Sequence, residues 1–155
     1  MNSPKSAPEC STNDDTCRVL IVEDNPDMAD LLALALQRHG HDIQTARNGT
    51  EALTVAATYR PHVVLIDIGL PGLDGHYVTE EIRKSRSEVL IIATTGRSAP
   101  EDFQRSRDAG CDHHLVKPLN IAEIIALLQD WKANGGCEAN PEEATGLQFG
   151  LFSPR

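Results

Sequence analysis

No stretch of this sequence is long and apolar enough to cross a bilayer. Its aliphatic runs, such as Val89 to Ala93, fall far short of the roughly 20 residues that a spanning helix requires. A secretory leader is missing as well: residues 1–16 are polar and mildly acidic, without the charged-then-apolar pattern of a signal peptide. These two absences predict a cytoplasmic chain with no membrane partner. Cysteine is sparse and scattered. Cys10, Cys17, Cys111 and Cys137 form no Cys-x-x-Cys pair and have no His at finger spacing, which argues against a zinc site and against a redox motif. Positive charge is in deficit, with a formal net charge of −9. That balance opposes direct contact with nucleic acid and suits a cation or a metal-requiring partner better.

What is present fits one domain. A chain of 155 residues buries roughly two-thirds of the surface it exposes when unfolded, enough for a self-supporting core. The patterned core runs over residues 17–132. Residues 1–16, rich in Ser, Pro, Asn and Asp, and residues 133–155, interrupted by Gly135, Gly136, Pro141 and Pro154, have no sustained period and read as mobile tails. The stretch after Lys132 is too short and irregular for a helix-turn-helix or a catalytic module, so a stand-alone domain without an output module is expected. Leu147, Phe149, Leu151 and Phe152 give that tail an apolar patch, which either docks or stays mobile.

Within the core, short β-branched runs alternate with helical patterns. Val19 to Val22 is continuously apolar, as a strand covered on both faces should be, and it ends in Glu23 and Asp24. Asn25 and Pro26 then offer an N-cap and a first-turn proline. Met28, Leu31, Leu32, Ala35 and Leu36 form a helical stripe that Gly40 stops. Ile43 to Ala46 reads as an edge strand, followed by a helix opening near Asn48 and Glu51 and closed by Pro61. Val63 to Ile66 is again apolar and ends in Asp67. After the turn Gly69-Leu70-Pro71-Gly72, Asp74 caps a helix running to about Ser85. Val89 to Ala93 then leads to Thr94 and Thr95. Ser98 and Glu101 suggest a capping box for a helix ending at Gly110. A short strand, His114 to Val116, precedes Lys117 and Pro118. Asn120 and Glu123 open the last helix, with Ile121, Ile124, Ile125, Leu128 and Trp131 on one stripe. Five alternations of strand and helix imply an α/β fold: a mostly parallel sheet with helices on both faces.

In such folds ligands sit beyond the carboxyl ends of the strands. Glu23, Asp24, Asp67, Thr95 and Lys117 all fall there. Three carboxylates in one crevice repel one another, and a hard divalent cation resolves the conflict. A carboxylate can also accept a phosphoryl group covalently. That transfer needs mainly positioning and charge stabilisation, which a metal and one ammonium supply.

The segments VLIVEDN (Val19 to Asn25), VVLIDIGLPGLDG (Val63 to Gly75), LIIATTG (Leu90 to Gly96) and GCDHHLVKP (Gly110 to Pro118) resemble the receiver domains of two-component response regulators, the CheY-like family. Four separated segments agree in the family's order. The resemblance implies a flavodoxin-like (βα)5 doubly wound sheet of strand order 2-1-3-4-5 in a single domain. It implies Asp67 as phosphoacceptor, and Glu23, Asp24, Asp67 and the Gly69 carbonyl as ligands of Mg²⁺, with Mn²⁺ as a substitute. Thr95 and Lys117 take the family's hydroxyl and ammonium positions, and Lys117-Pro118 its cis junction. The implied partners are a sensor histidine kinase or histidine phosphotransfer protein and a downstream protein, with the chain a monomer or weak dimer and not an enzyme with an external substrate. The wording DIGLPGLDG resembles receivers attached to hybrid kinases, which fits a phosphorelay. His114 departs from the pattern, since the family usually has Tyr or Phe at this switch position. An imidazole there, with a reference pKa of about 6.5, would make the switch pH-sensitive.

Other readings stay open at this level. Asp67 could cap a turn, Glu23 and Asp24 could cap a helix, and Thr94 competes with Thr95. His39, His41, His62, His76 and His113 read as surface residues. A haloacid-dehalogenase type phosphohydrolase also uses a strand-end Asp, but needs a second Asp where Gly69 stands. A flavin-binding protein would need a phosphate-cradling loop where Glu23 and Asp24 lie. The alternative function is a phosphorylation-independent interaction module of the same fold.

Overall fold

Apolar strands alternating with amphipathic helices leave one economical arrangement, and the computed structural model, which describes residues 16–136, shows it. Strands β1 (Arg18–Val22), β2 (Asp42–Ala46), β3 (Val63–Asp67), β4 (Leu90–Thr95) and β5 (His113–Val116) alternate with helices α1 (Pro26–Arg38), α2 (Gly49–Tyr59), α3 (Gly75–Ser85), α4 (Pro100–Ala109) and α5 (Ile121–Ala133). The strands form one parallel sheet in the order β2-β1-β3-β4-β5. No helix among the described residues is long and apolar enough to cross a membrane.

Each central strand serves two cores, because successive side chains point to opposite faces. Leu20 and Val22, Val64 and Ile66, and Ile91 and Ala93 pack with Ala52, Val78 and Ile82 of α2 and α3. Val19 and Ile21, Val63 and Leu65, and Leu90 and Ile92 pack with Leu32 and Leu36 of α1 and Ile124 and Leu128 of α5. Burial on both faces is why β1, β3 and β4 read as unbroken apolar runs. Edge strand β2 is mostly exposed, with Ile43 half-buried and Ala46 buried, which accounts for its weaker pattern.

The helix caps follow from local chemistry. The Asn25 side chain accepts hydrogen bonds from the N–H groups of Asp27 and Met28, Asn48 from Glu51, Asp74 from His76, and Asn120 from Ala122 and Glu123. Gly110 closes α4 with φ 111°, a left-handed conformation that favours glycine.

Three local expectations are corrected. The cap of α4 is Ala99, not Ser98: the Asp102 carboxylate accepts the Ala99 N–H at 3.2 Å, one residue later than the expected pair. Pro100 sets that start, since its fixed φ suits the first helical position. The buried stripe of α1 is Ala29, Leu32 and Leu36, while Leu31 is 52 % exposed. Small Ala29 thus takes a core position on α1 while Leu31 faces solvent. His62 is half-buried, its Nδ1 accepting the Arg18 N–H at 2.9 Å; burial, aided by Arg18 and Arg86, lowers its pKa to about 4. Cys111 is a free buried thiol, and Cys17 is disulfide-bonded. The expectations for residues 1–15 and for Leu147, Phe149, Leu151 and Phe152 lie outside the described residues.

The two leucine environments give a direct check. Leu128→Ala, in the α1/α5 core, is expected to cost about 2–5 kcal/mol in urea unfolding, whereas Leu31→Ala should stay within about 0.5 kcal/mol of the parent.

Candidate functional site

Ladder geometry brings the charged residues together. The Glu23 N–H donates to the Ala46 carbonyl at 3.0 Å, so the strand continues one residue past Val22. Glu23 then follows Val19 and Ile21 onto the α1/α5 face. Asp67 follows Val63 and Leu65 onto that same face. Lys117 follows Leu115, and its N–H, donating to the Thr95 carbonyl at 2.7 Å, continues β5. Three charged side chains from three strands thus converge at one end of the sheet.

The Lys117 ammonium lies 3.1 Å from Asp67 Oδ2 and 3.3 Å from Glu23 Oε1. The second oxygen of each carboxylate is held by backbone: Asp67 Oδ1 accepts the Gly69 N–H at 2.9 Å, and Glu23 Oε2 accepts the Asn25 N–H at 3.2 Å. Glu23 is 3 % exposed and Asp67 7 %. Asp24, exposed at the head of the following loop, completes a set in which oxygens of Glu23, Asp24 and Asp67 lie within 4.8 Å of one another. The junction Lys117-Pro118 is cis. Helix α3 begins hard against this end of β3. A Cβ at Gly75 would stand 2.8 Å from Ile68 Cα and 3.1 Å from the Asp67 carbonyl oxygen, so only hydrogen fits there.

One ammonium does not balance three carboxylates. Burial pushes the Glu23 carboxyl above its ordinary pKa, with the Asp67 charge adding to it, while the Asn25 N–H and Lys117 oppose the rise. Lys117 is held above its ordinary value: burial works against its charge, but the hydrogen bond and charge of Asp67, then of Glu23, outweigh it. An all-oxygen donor set short of positive charge fits a hard divalent cation.

Thr95 ends β4, the strand that pairs with β3. It shares the parity of Ile91 and Ala93, and its Oγ1 accepts the Arg97 N–H at 3.1 Å. It lines a cleft of about 220 Å³ with Gly69, His76, Arg97, Arg105 and His114. Thr94 takes the Asp67 side, its hydroxyl 3.5 Å from the Ile66 carbonyl. His114, paired in register with Ala93, turns its ring against Phe103, with centroids 4.2 Å apart, and its Nδ1 lies 2.9 Å from Ser106 Oγ. A larger cleft of about 270 Å³, between α2 and α3 and lined by Leu53, Pro61, Ile82 and Val89, holds none of these residues.

Two neighbours escaped the sequence reading. Ser106 is buried in an otherwise polar helix, and His76, read as a surface residue, is 8 % exposed. The available signal was position: His76 and Thr79 both lie on the buried side of α3.

Residues 19–129 match the family model of the response regulator receiver domain, and the chain belongs to that family. It is 36% identical over 118 residues to the transcriptional regulatory protein TcrA of Mycobacterium tuberculosis, covering 76% of this chain and 47% of that protein. It is 34% identical over 128 residues to the transcriptional regulatory protein PrrA of Mycobacterium leprae, covering 83% and 55%. The chain therefore spans about half the length of the curated relatives it matches. Among solved structures, the CheY-like receiver domain protein of Methanospirillum hungatei superposes with TM-score 0.73 at 26% identity, over 77% of this chain and 95% of that one. The chemotaxis protein CheY4 of Vibrio cholerae superposes with TM-score 0.71 at 28% identity, over 74% and 98%. Receiver domains are phosphoacceptor switches of two-component signalling that interact with histidine kinases, and they bind Mg²⁺ at an acidic pocket.

The raised pKa of Glu23 has a defined sign. Between its ordinary and its raised value the folded chain binds more protons than the unfolded one, so stability falls as pH rises through that window. Above it the penalty is fully present. Metal-free Glu23→Gln is therefore expected to melt at or above the parent temperature at pH near 7 and to lose that advantage in acid, as read by thermal unfolding at both pH values.

Proposed function

We propose that this chain is a phosphorylation switch in which Asp67 accepts a phosphoryl group from the phosphohistidine of a histidine kinase or a histidine phosphotransfer protein. The observation that carries the reading is the Lys117 ammonium placed between Asp67 and Glu23, with Asp24 alongside. Glu23, Asp24, Asp67 and the Gly69 carbonyl would hold Mg²⁺, or Mn²⁺ in its place. Bound there, the ion supplies positive charge to phosphoryl oxygens and relieves repulsion among the carboxylates.

The chain's own residues supply the rest. The Gly69 N–H fixes the Asp67 carboxylate, so little reorientation is needed before it attacks. An Asp67 oxygen bonds to phosphorus as the donor's phosphorus–nitrogen bond breaks, and the ammonium of Lys117 stabilises the charge carried by the transferred group. The Thr95 oxygen already accepts the Arg97 N–H, which leaves its hydroxyl hydrogen to donate to a phosphoryl oxygen. Thr95 and His114 line one cleft, a route from the modified carboxylate to the α4–β5 surface that a downstream protein would read. A solved response regulator protein of Burkholderia pseudomallei, 26% identical to this chain with TM-score 0.70, contains a phosphorylated aspartic acid and a calcium ion; it supports the same assignment here. Gly69 stands where a haloacid-dehalogenase type hydrolase has its second Asp, so turnover of external phosphate esters is not expected.

Incubation with acetyl phosphate and Mg²⁺ should label the wild-type chain with an acyl phosphate, detected by intact mass. Asp67→Asn should take no label, and chelation of the metal should abolish it. Lys117→Ala should slow labelling by about 10²-fold or more, the cost of losing one preorganised charged donor. Labelling undiminished in Asp67→Asn, or none in the wild type, would refute the switch. Partner binding that ignores both Mg²⁺ and beryllofluoride would favour the interaction module instead.

A further inference from the structure

The ring of His114 belongs to a longer chain of contacts. Its Nδ1 lies 2.9 Å from Oγ of Ser106 in α4, and the same oxygen lies 3.4 Å from Nε2 of His76 in the first turn of α3. Ser106 is 1 % exposed. One hydroxyl therefore joins β5, α4 and α3. The outer nitrogens, Nδ1 of His76 and Nε2 of His114, are buried without a hydrogen-bond partner. Nδ1 of His76 stands 3.6 Å from Asp74 Oδ1, and the Arg97 backbone favours the protonated form of His114.

A serine hydroxyl has one hydrogen to donate, and a neutral imidazole has one N–H. With both rings neutral, Ser106 donates to at most one ring, so at least one ring donates inward to it. The ring that donates inward must then turn a bare lone pair outward. For His76 that lone pair faces the Asp74 carboxylate; for His114 it is left buried without a partner. Either neutral arrangement leaves a buried lone pair without a donor. A single added proton removes the conflict, because both outer nitrogens then carry hydrogen while Ser106 still bridges. A second proton would place two cations on one hydroxyl.

We propose that His76, Ser106 and His114 form a single-proton relay in which His76 and Ser106 are positioning residues that fix the orientation of His114. The charges around it are mixed. His76 faces Asp74, Glu80 and Arg105, and His114 faces Asp102, with Arg97 lining the same cleft. Burial lowers the proton affinity of both rings, so the first proton enters below the ordinary imidazole range. The regulatory consequence rests on the switch reading above. Negative charge brought to Thr95 raises the relay's proton affinity, and by reciprocity acid favours the charged site.

The test is an NMR titration of the imidazole Cε1–H resonances of the full chain without metal, from about pH 4.5 to pH 8 around the ordinary histidine pKa. His76 and His114 should titrate as a pair, in two macroscopic steps about one pH unit or more apart, each visible at both rings. Ser106→Ala should merge the steps into independent curves, and Ser106→Thr should restore them. His76→Gln should shift the His114 midpoint although Ser106 stands between the rings. Independent single titrations in the wild type, or a His114 midpoint that His76→Gln leaves in place, would overturn the relay. The readout needs neither metal nor phosphodonor, so its failure is distinct from a failure of Asp67 to take label.

Discussion

The Lys117 ammonium, set between two buried carboxylates from different strands, is the contact on which the rest of the site depends. The Asp67 charge raises the cost of ionising Glu23, and Lys117 is the cation that bridges the two. It does not balance Asp24 as well. The site is therefore folded yet short of positive charge, the condition under which a divalent ion or a phosphoryl group can change its energy strongly.

The sheet also separates two tasks. Residues of one parity at the ends of β1, β3 and β5 gather the charged side chains, and residues of the other parity at the ends of β4 and β5 bring Thr95 and His114 to the cleft beside α4. A single peptide step changes the face, so Thr94 and Thr95 occupy different environments despite their identity. The two faces communicate through short, stiff connections: the Lys117 N–H bonds to the Thr95 carbonyl, and the Gly69 N–H bonds to Asp67 while Gly69 lines the cleft. Gly75 lets the start of α3 press against the end of β3, which brings Asp74 and His76 into the same neighbourhood.

Much of this was legible before any coordinates. Apolar runs of four residues ending in charged groups identify β1 and β3, because a strand covered on both faces has no alternation to show. Asn25, Asn48, Asp74 and Asn120 mark four helix starts through side chains that accept backbone N–H groups. The cap of α4 was misplaced by one residue because two plausible acid partners, Glu101 and Asp102, are adjacent and only backbone direction selects one. The α1 stripe was misassigned at Leu31 because hydrophobicity alone does not say that Ala29, a small residue, faces the core.

The sequence by itself determined which residues end the strands, the alternation that makes the sheet parallel, and the acidic, threonine and lysine residues of the site, since local pattern and short motifs encode these. Tertiary structure alone decided that Lys117 reaches across both carboxylates, that Thr95 and not Thr94 enters the cleft, and that His76 and His114 share the hydroxyl of Ser106. The physical reason is that such contacts join residues on different elements, from eight to more than ninety positions apart. Their existence depends on strand order, side-chain parity and the distance between packed helices, none of which is a property of any local segment.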